Sequence, residues 1–282
     1  MVRDLYEPAD AARILAYLGT AMAMAPILGP ILGGWLTSAF GWRANFALLT
    51  LFGVVTFLGV LLVLPETNRR PDPGATRPST LLTNYSSLLT DRLYLGRVAI
   101  TAFTYSGIFT FISGSAYVLI EVVGLTPDRY GLCFAGGVMG WVLGTMIAGR
   151  FGKRLGLPRL LAIGTAISAT AGLGGLAWAL LASPSWPMVV LPMAAFMTGA
   201  GFTLPAAMAL AIGPHPTRAG LASALMGFLQ LSTASAIGYA LSLAYAGTAL
   251  PMMLCLALVT ATAFLATRMV PGAGGESKAS EG

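Results

Sequence analysis

Eight runs of mainly apolar residues, each about 20 or more long, fill most of this chain: 14–36, 43–64, 95–121, 130–149, 159–182, 187–212, 219–244 and 249–268. A run of that length crosses a hydrocarbon core of roughly 30 Å as an α-helix. Membrane β-strands would instead show as short segments of alternating polarity. Only 9% of the 282 residues are charged, and the mean hydropathy is +0.80; soluble domains carry roughly 25% charged residues. The reading is an all-α integral membrane protein with about eight transmembrane helices.

Most connectors are short and rich in turn residues. One is long: residues 65–93 are polar and proline-rich, and they divide a two-helix part from a six-helix part. With the N-terminus in the cytoplasm, residues 1–13, 65–97, 150–159, 213–218 and 268–282 lie on that side and hold fourteen of the sixteen Lys and Arg. Only Arg43 and Arg129 fall on the other side. This asymmetry obeys the positive-inside rule and places both termini in the cytoplasm.

The net charge of +6 follows from that topology. The basic residues are spread over five segments without an RNA-binding motif, so no nucleic-acid partner is expected. Cys133 and Cys255 lie inside apolar spans and read as small buried hydrophobes. The chain has a single histidine, His215, in a cytoplasmic turn. An integral-membrane enzyme would need a cluster of polar or metal-ligating groups at one depth, so neither enzyme activity nor a metal is expected. Lys153 and Lys278 lie outside the spans, which excludes a Schiff-base pigment, and no cofactor is expected.

Lipid is as apolar as leucine, so membrane helices associate through close packing at small residues. Ala21, Ala25, Gly29 and Gly33 fall four apart in the first span, with Pro26 and Pro30 one position round from them. Each proline removes a backbone donor, so a bend is expected there. Gly136, Gly140, Gly144 and Ala148 form a second ladder in the fourth span, and Gly220, Ala224 and Phe228 a partial one in the seventh. Such ladders serve packing in a static bundle or seams that move in a transporter; two full ladders and a proline pair favour the transporter.

The segment "GPILGG", Gly29 to Gly34, resembles the antiporter motif of the fifth helix in the major facilitator superfamily. With "FGWRANF" after it, "LPET" at Leu64 to Thr67, and "AGLASALMGFLQ" at Ala219 to Gln230, the chain resembles the bicyclomycin/chloramphenicol resistance (Bcr/CflA) branch. The resemblance implies that the eight spans correspond to helices five to twelve of that fold. Residues 1–64 would be the remainder of the N-terminal half, 65–93 the central cytoplasmic loop, 94–270 the C-terminal six-helix half and 271–282 a cytoplasmic tail. "VRDLY", Val2 to Tyr6, looks like the end of the fourth helix, so Met1 is expected to be an internal methionine or the chain a truncated one. "GRFGKRLG", Gly149 to Gly156, resembles a degenerate copy of the superfamily's cytoplasmic loop motif. Gly149, Arg154 and Gly156 match it, but Lys153 stands where an acid belongs, leaving topological anchoring as the expected role.

The resemblance implies proton-coupled efflux of small drug-like molecules across the bacterial inner membrane, by a monomer when full length. The alternative is a transport-inactive fragment of such an exporter. Proton coupling calls for an ionisable group inside the membrane, yet Glu66, Asp91, Glu121 and Asp128 all lie at span edges or in loops. Glu121 is the nearest candidate, although an interfacial carboxylate beside Arg129 or water is the favoured reading of it. For the substrate cavity, Tyr105, Phe109, Ser113 and Tyr117 stack at about four-residue spacing in the third span. Met197 and Phe202 in the sixth span and Gln230 in the seventh complete the expected wall, facing the centre where such carriers bind their substrates. Transport is expected as rocking of one half against the other, with the laddered spans along the moving seam.

Overall fold

The computed structural model describes residues 29, 32–37, 39–63, 78–244 and 247–270, and no strand occurs among them. The chain divides into two compact units, Met1–Arg77 and Pro78–Gly282. Seven helices among the described residues are long and apolar enough to cross a membrane. They match the last seven runs read from the sequence. The first run, with Pro26 and Pro30, lies mostly outside the described residues, as do the segment 65–77 and the tail 271–282.

In the first unit, residues 32–37 and 39–40 are helical and lead through Gly41 into α1 (Arg43–Val63). Gly41 has φ +80° and its amide donates to the Thr37 carbonyl at 2.9 Å, closing the preceding turn as only a residue tolerant of left-handed backbone can. Asn45 of α1 then donates to the Thr37 hydroxyl at 2.7 Å, and that hydroxyl donates to the Gly33 carbonyl at 2.8 Å. These bonds give a structural reason for the pattern Gly-Trp-Arg-Ala-Asn after the glycine motif. The Arg43 guanidinium lies 4.6 Å from the centre of the Trp42 ring.

The second unit starts with a short helix, α2 (Pro78–Thr90), inside the stretch expected to be loop. Leu88 of α2 is buried against Tyr94, Val98, Ala222 and Met226. Asp91 ends α2 and caps α3 (Arg92–Ala116): its carboxylate accepts the amides of Leu93 at 2.9 Å and Tyr94 at 3.1 Å. α3 continues into a π-helical segment, Tyr117–Val122, which ends at Gly124 with φ +79°. Then come α4 (Pro127–Leu155), α5 (Leu157–Leu181), α6 (Trp186–Ile212), α7 (Ala219–Leu243) and α8 (Leu250–Met269).

α6 packs against α4, α5 and α3, while α3 packs against α7, α8 and α6, and α5 packs against α8. The neighbours α4 and α5 make little contact, and neither do α7 and α8. Exchanging α3 with α6, α4 with α7 and α5 with α8 leaves this pattern unchanged, so the six helices form two copies of a three-helix repeat. Three spans per copy turn the second copy upside down relative to the first, which is the inverted repeat of many transporters.

Glycines hold these seams. A Cβ at Gly140 or Gly144 of α4 would run into the backbone of Ala194 or Thr198 of α6. One at Gly164 of α5 would lie 2.7 Å from the Gly199 carbonyl oxygen of α6. Gly172 of α5 meets Ala257 of α8 in the same way, at 3.1 Å from its Cα. The ladder of α4 therefore packs on α6 inside the second unit. The partial ladder on α7 differs: nothing lies within 4 Å of a Cβ at Gly220 or Gly227.

Polar ties fasten the end of the unit that carries Arg92 and Arg218. The Tyr94 hydroxyl donates to the Ala222 carbonyl at 2.6 Å, and Arg97 donates to the Leu210 carbonyl at 2.7 Å. His215 is more than a plain turn residue: its Nε2 lies 3.5 Å from an Asp91 carboxylate oxygen and its ring packs edge-on against Tyr94. Tyr94→Phe leaves the Ala222 carbonyl without this donor and is expected to cost about 1–2 kcal/mol, read as a lower unfolding temperature in detergent.

Candidate functional site

α3 is packed on one side and open on the other. Phe111, Gly107, Gly114 and Val118 are buried, whereas Tyr105, Phe109 and Tyr117 are half-buried and Ser113 is exposed. The difference follows from helical period: positions four apart drift only slowly round the axis, so these four residues share the open face. The Tyr105 and Phe109 rings are 5.7 Å apart and inclined by 38°. Across from them α7 brings Gly238, where a Cβ would lie 3.6 Å from the Ser113 Oγ and 4.0 Å from Phe109. The absent side chain of Gly238 keeps this part of the face open.

Some polar groups on this side are without protein partners among the described residues. Thr101, Ser106 and Thr110 on the packed side of α3 each donate to a carbonyl of their own helix. Tyr105, Ser113 and the half-buried Gln230 of α7 make no hydrogen bond among the described residues. The Gln230 amide has a donor and an acceptor to offer a ligand.

Two of the expected cavity residues lie elsewhere. Met197 belongs to the core with Phe111, Met193 and Met252, and Phe202 to a core with Ile100 and Leu161. Both are nearly fully buried by protein, because α6 packs against α3, α4 and α5 and is buried round most of its circumference. Sequence reading passed over Ser232 and Ser235, exposed on the open side of α7 and without hydrogen bonds among the described residues. Their three-residue spacing in an apolar helix was the available signal.

A cavity of about 500 Å³ lies between α7 and α8, floored by Phe103 and Cys255. Its lining is apolar and includes none of the residues expected from sequence. The Thr110 hydroxyl, which donates to the Ser106 carbonyl, also lies 3.3 Å from the Cys255 sulfur.

The loop motif Gly149–Gly156 is mostly helix. α4 runs on through Leu155, and Gly156 alone makes the turn, with φ +75° and its amide donating to the Gly152 carbonyl at 2.9 Å. Arg154 is exposed on the last turn. In the other motif Gly29, Gly33 and Gly34 are described; a Cβ at Gly29 or Gly34 meets nothing within 4 Å.

The sequence matches the Major Facilitator Superfamily over residues 1–239. The chain belongs to that family. Among relatives in the superfamily, a bicyclomycin resistance protein homolog of Haemophilus influenzae is 26% identical over 254 residues, 90% of this chain and 63% of its own length. An uncharacterized MFS-type transporter of Bacillus subtilis, YdgK, is 30% identical over 84% of this chain and 59% of its own. The multidrug resistance protein MdtL of Escherichia coli O157:H7 is 28% identical over 83% and 58%. The chain thus spans about three-fifths of the length of these relatives. The superfamily consists of multi-pass membrane transporters rather than enzymes, which fits the seven membrane-length helices.

Proposed function

We propose that the chain is the larger part of a proton-coupled exporter of small drug-like molecules in a bacterial inner membrane, with both termini cytoplasmic. In this reading the open face of α3 and α7 holds the molecule. One observation carries it: the aromatic pair Tyr105 and Phe109 shares the open face of α3 with Ser113, which has no protein hydrogen bond among the described residues, and the adjoining α7 carries the unpaired amide of Gln230. Rings supply a broad apolar contact and the polar groups an orientation, the combination that small-molecule sites use. The names of the relatives in H. influenzae and E. coli support drugs as the class.

The test expresses the 282-residue chain in a bacterium stripped of its own exporters and follows growth in bicyclomycin. Export gives resistance that collapses when an ionophore abolishes the proton gradient. Phe109→Ala and Gln230→Leu are then expected to lower resistance about fivefold at unchanged membrane levels. No resistance from the unaltered chain supports instead the reading in which it does not transport by itself.

A further inference from the structure

A second cavity, of about 360 Å³, opens at the end of α4 opposite its Arg150 and Arg154. Leu125, Leu132 and Val190 form apolar walls, and Gly136 leaves space where a side chain would stand, its absent Cβ 3.4 Å from Val190. Arg129, on the first turn of α4, and Trp186, on the first turn of α6, are exposed at the opening.

Arg129 is unusual in two ways. It is one of only two basic residues that the charge distribution places on the side away from the basic loops. The other, Arg43, has the Trp42 ring as a partner. Arg129 has no hydrogen bond, ion pair or ring contact among the described residues. A guanidinium beside apolar walls at the edge of a membrane helix is stabilised when an anion meets its planar fork of donors. Tryptophan at the same opening is the residue type that sits where hydrocarbon gives way to head groups.

We propose that this cavity binds an amphiphile with an anionic head, a phosphate or carboxylate held by Arg129, and a hydrocarbon part that enters beside Gly136 and Val190. The site is separate from the face of α3 and α7, so it stands whether or not that face transports drugs.

Cys133 lines this cavity and Cys255 the one between α7 and α8, which supplies a reporter and a control in the same chain. The protein is placed in phosphatidylcholine nanodiscs and its thiols are alkylated with a maleimide, with decanoate, decanol or decylammonium added. Decanoate is expected to slow alkylation of Cys133 at concentrations where decylammonium does not. Arg129→Gln raises the decanoate concentration required about fivefold, and Arg129→Lys restores most of the affinity. Nanodiscs containing phosphatidylglycerol distinguish the sources. Protection of Cys133 without added decanoate, lost in Arg129→Gln, identifies a resident lipid; protection by decanoate alone identifies a free amphiphile. Equal protection by all three ten-carbon compounds, or protection that ignores the Arg129 substitutions, overturns the proposal. An unchanged Cys255 rate shows that the variants are folded.

Discussion

Gly140→Ala is expected to destabilise the second unit by on the order of 3 kcal/mol, near the top of the range for overpacking. A methyl group there would meet the Ala194 carbonyl group, with its carbon at 2.8 Å and the Cα at 3.0 Å. Backbone cannot rotate aside as a flexible side chain can, so α4 and α6 must separate. Separation also loosens Gly144 against Thr198, and Gly201 of α6, whose absent Cβ lies 3.0 Å from the Trp141 carbonyl oxygen of α4. Gly227→Ala on α7 is the contrast. Nothing lies within 4 Å of that Cβ, and alanine favours helix over glycine by up to about 1 kcal/mol. Unfolding temperatures of the two variants in one detergent should therefore move in opposite directions. Equal temperatures would show that the α4–α6 seam does not hold the unit together.

Phe196→Ala is expected to cost about 4 kcal/mol, typical for a fully buried phenylalanine. Its ring stands over Gly107 of α3, where a Cβ would come within 2.8 Å of a ring carbon. Gly107→Ala alone should also destabilise, because a fully enclosed ring has nowhere to retreat. In the double variant the new methyl enters space that the ring has vacated, so the combined cost should fall short of the sum by about 1 kcal/mol or more. Strict additivity in denaturant or thermal unfolding would rule out this contact as the cause of either effect.

The spans were legible because a hydrocarbon slab demands a length, and length survives without knowledge of neighbours. Which face meets which helix was not legible in the same way. The four-residue spacing of Gly136, Gly140 and Gly144 announces a smooth stripe, and Ala194 and Thr198 of its partner are small and four apart as well, but many small residues on α6 share that mark and none says which helix it meets. Met197 and Phe202 were misplaced for a related reason. Their residue types suit a binding wall or a core equally, and only the central position of α6 decides between them. The motif at Gly149–Gly156 was read as a turn because apolar length marks where the lipid ends; α4 continues as helix beyond that point. Gly164, Ser168 and Gly172 of α5 share the four-residue spacing of the α4 ladder, and Gly199 of α6 meets the first two. Tyr105, Phe109, Ser113 and Tyr117 share one face, since a single helix fixes their mutual placement whatever that face binds.

The weak pairing of α4 with α5 bears on how the protein is made. A ribosome delivers α4 and α5 to the bilayer in succession, joined through Gly156 alone, yet their glycine surfaces match α6 and α8, which are synthesised later. Until α6 emerges, two neighbouring spans wait in lipid with their closest-packing surfaces unclaimed. Assembly of this unit is therefore timed by a late element, and a pause or truncation in translation before Trp186 strands both helices together.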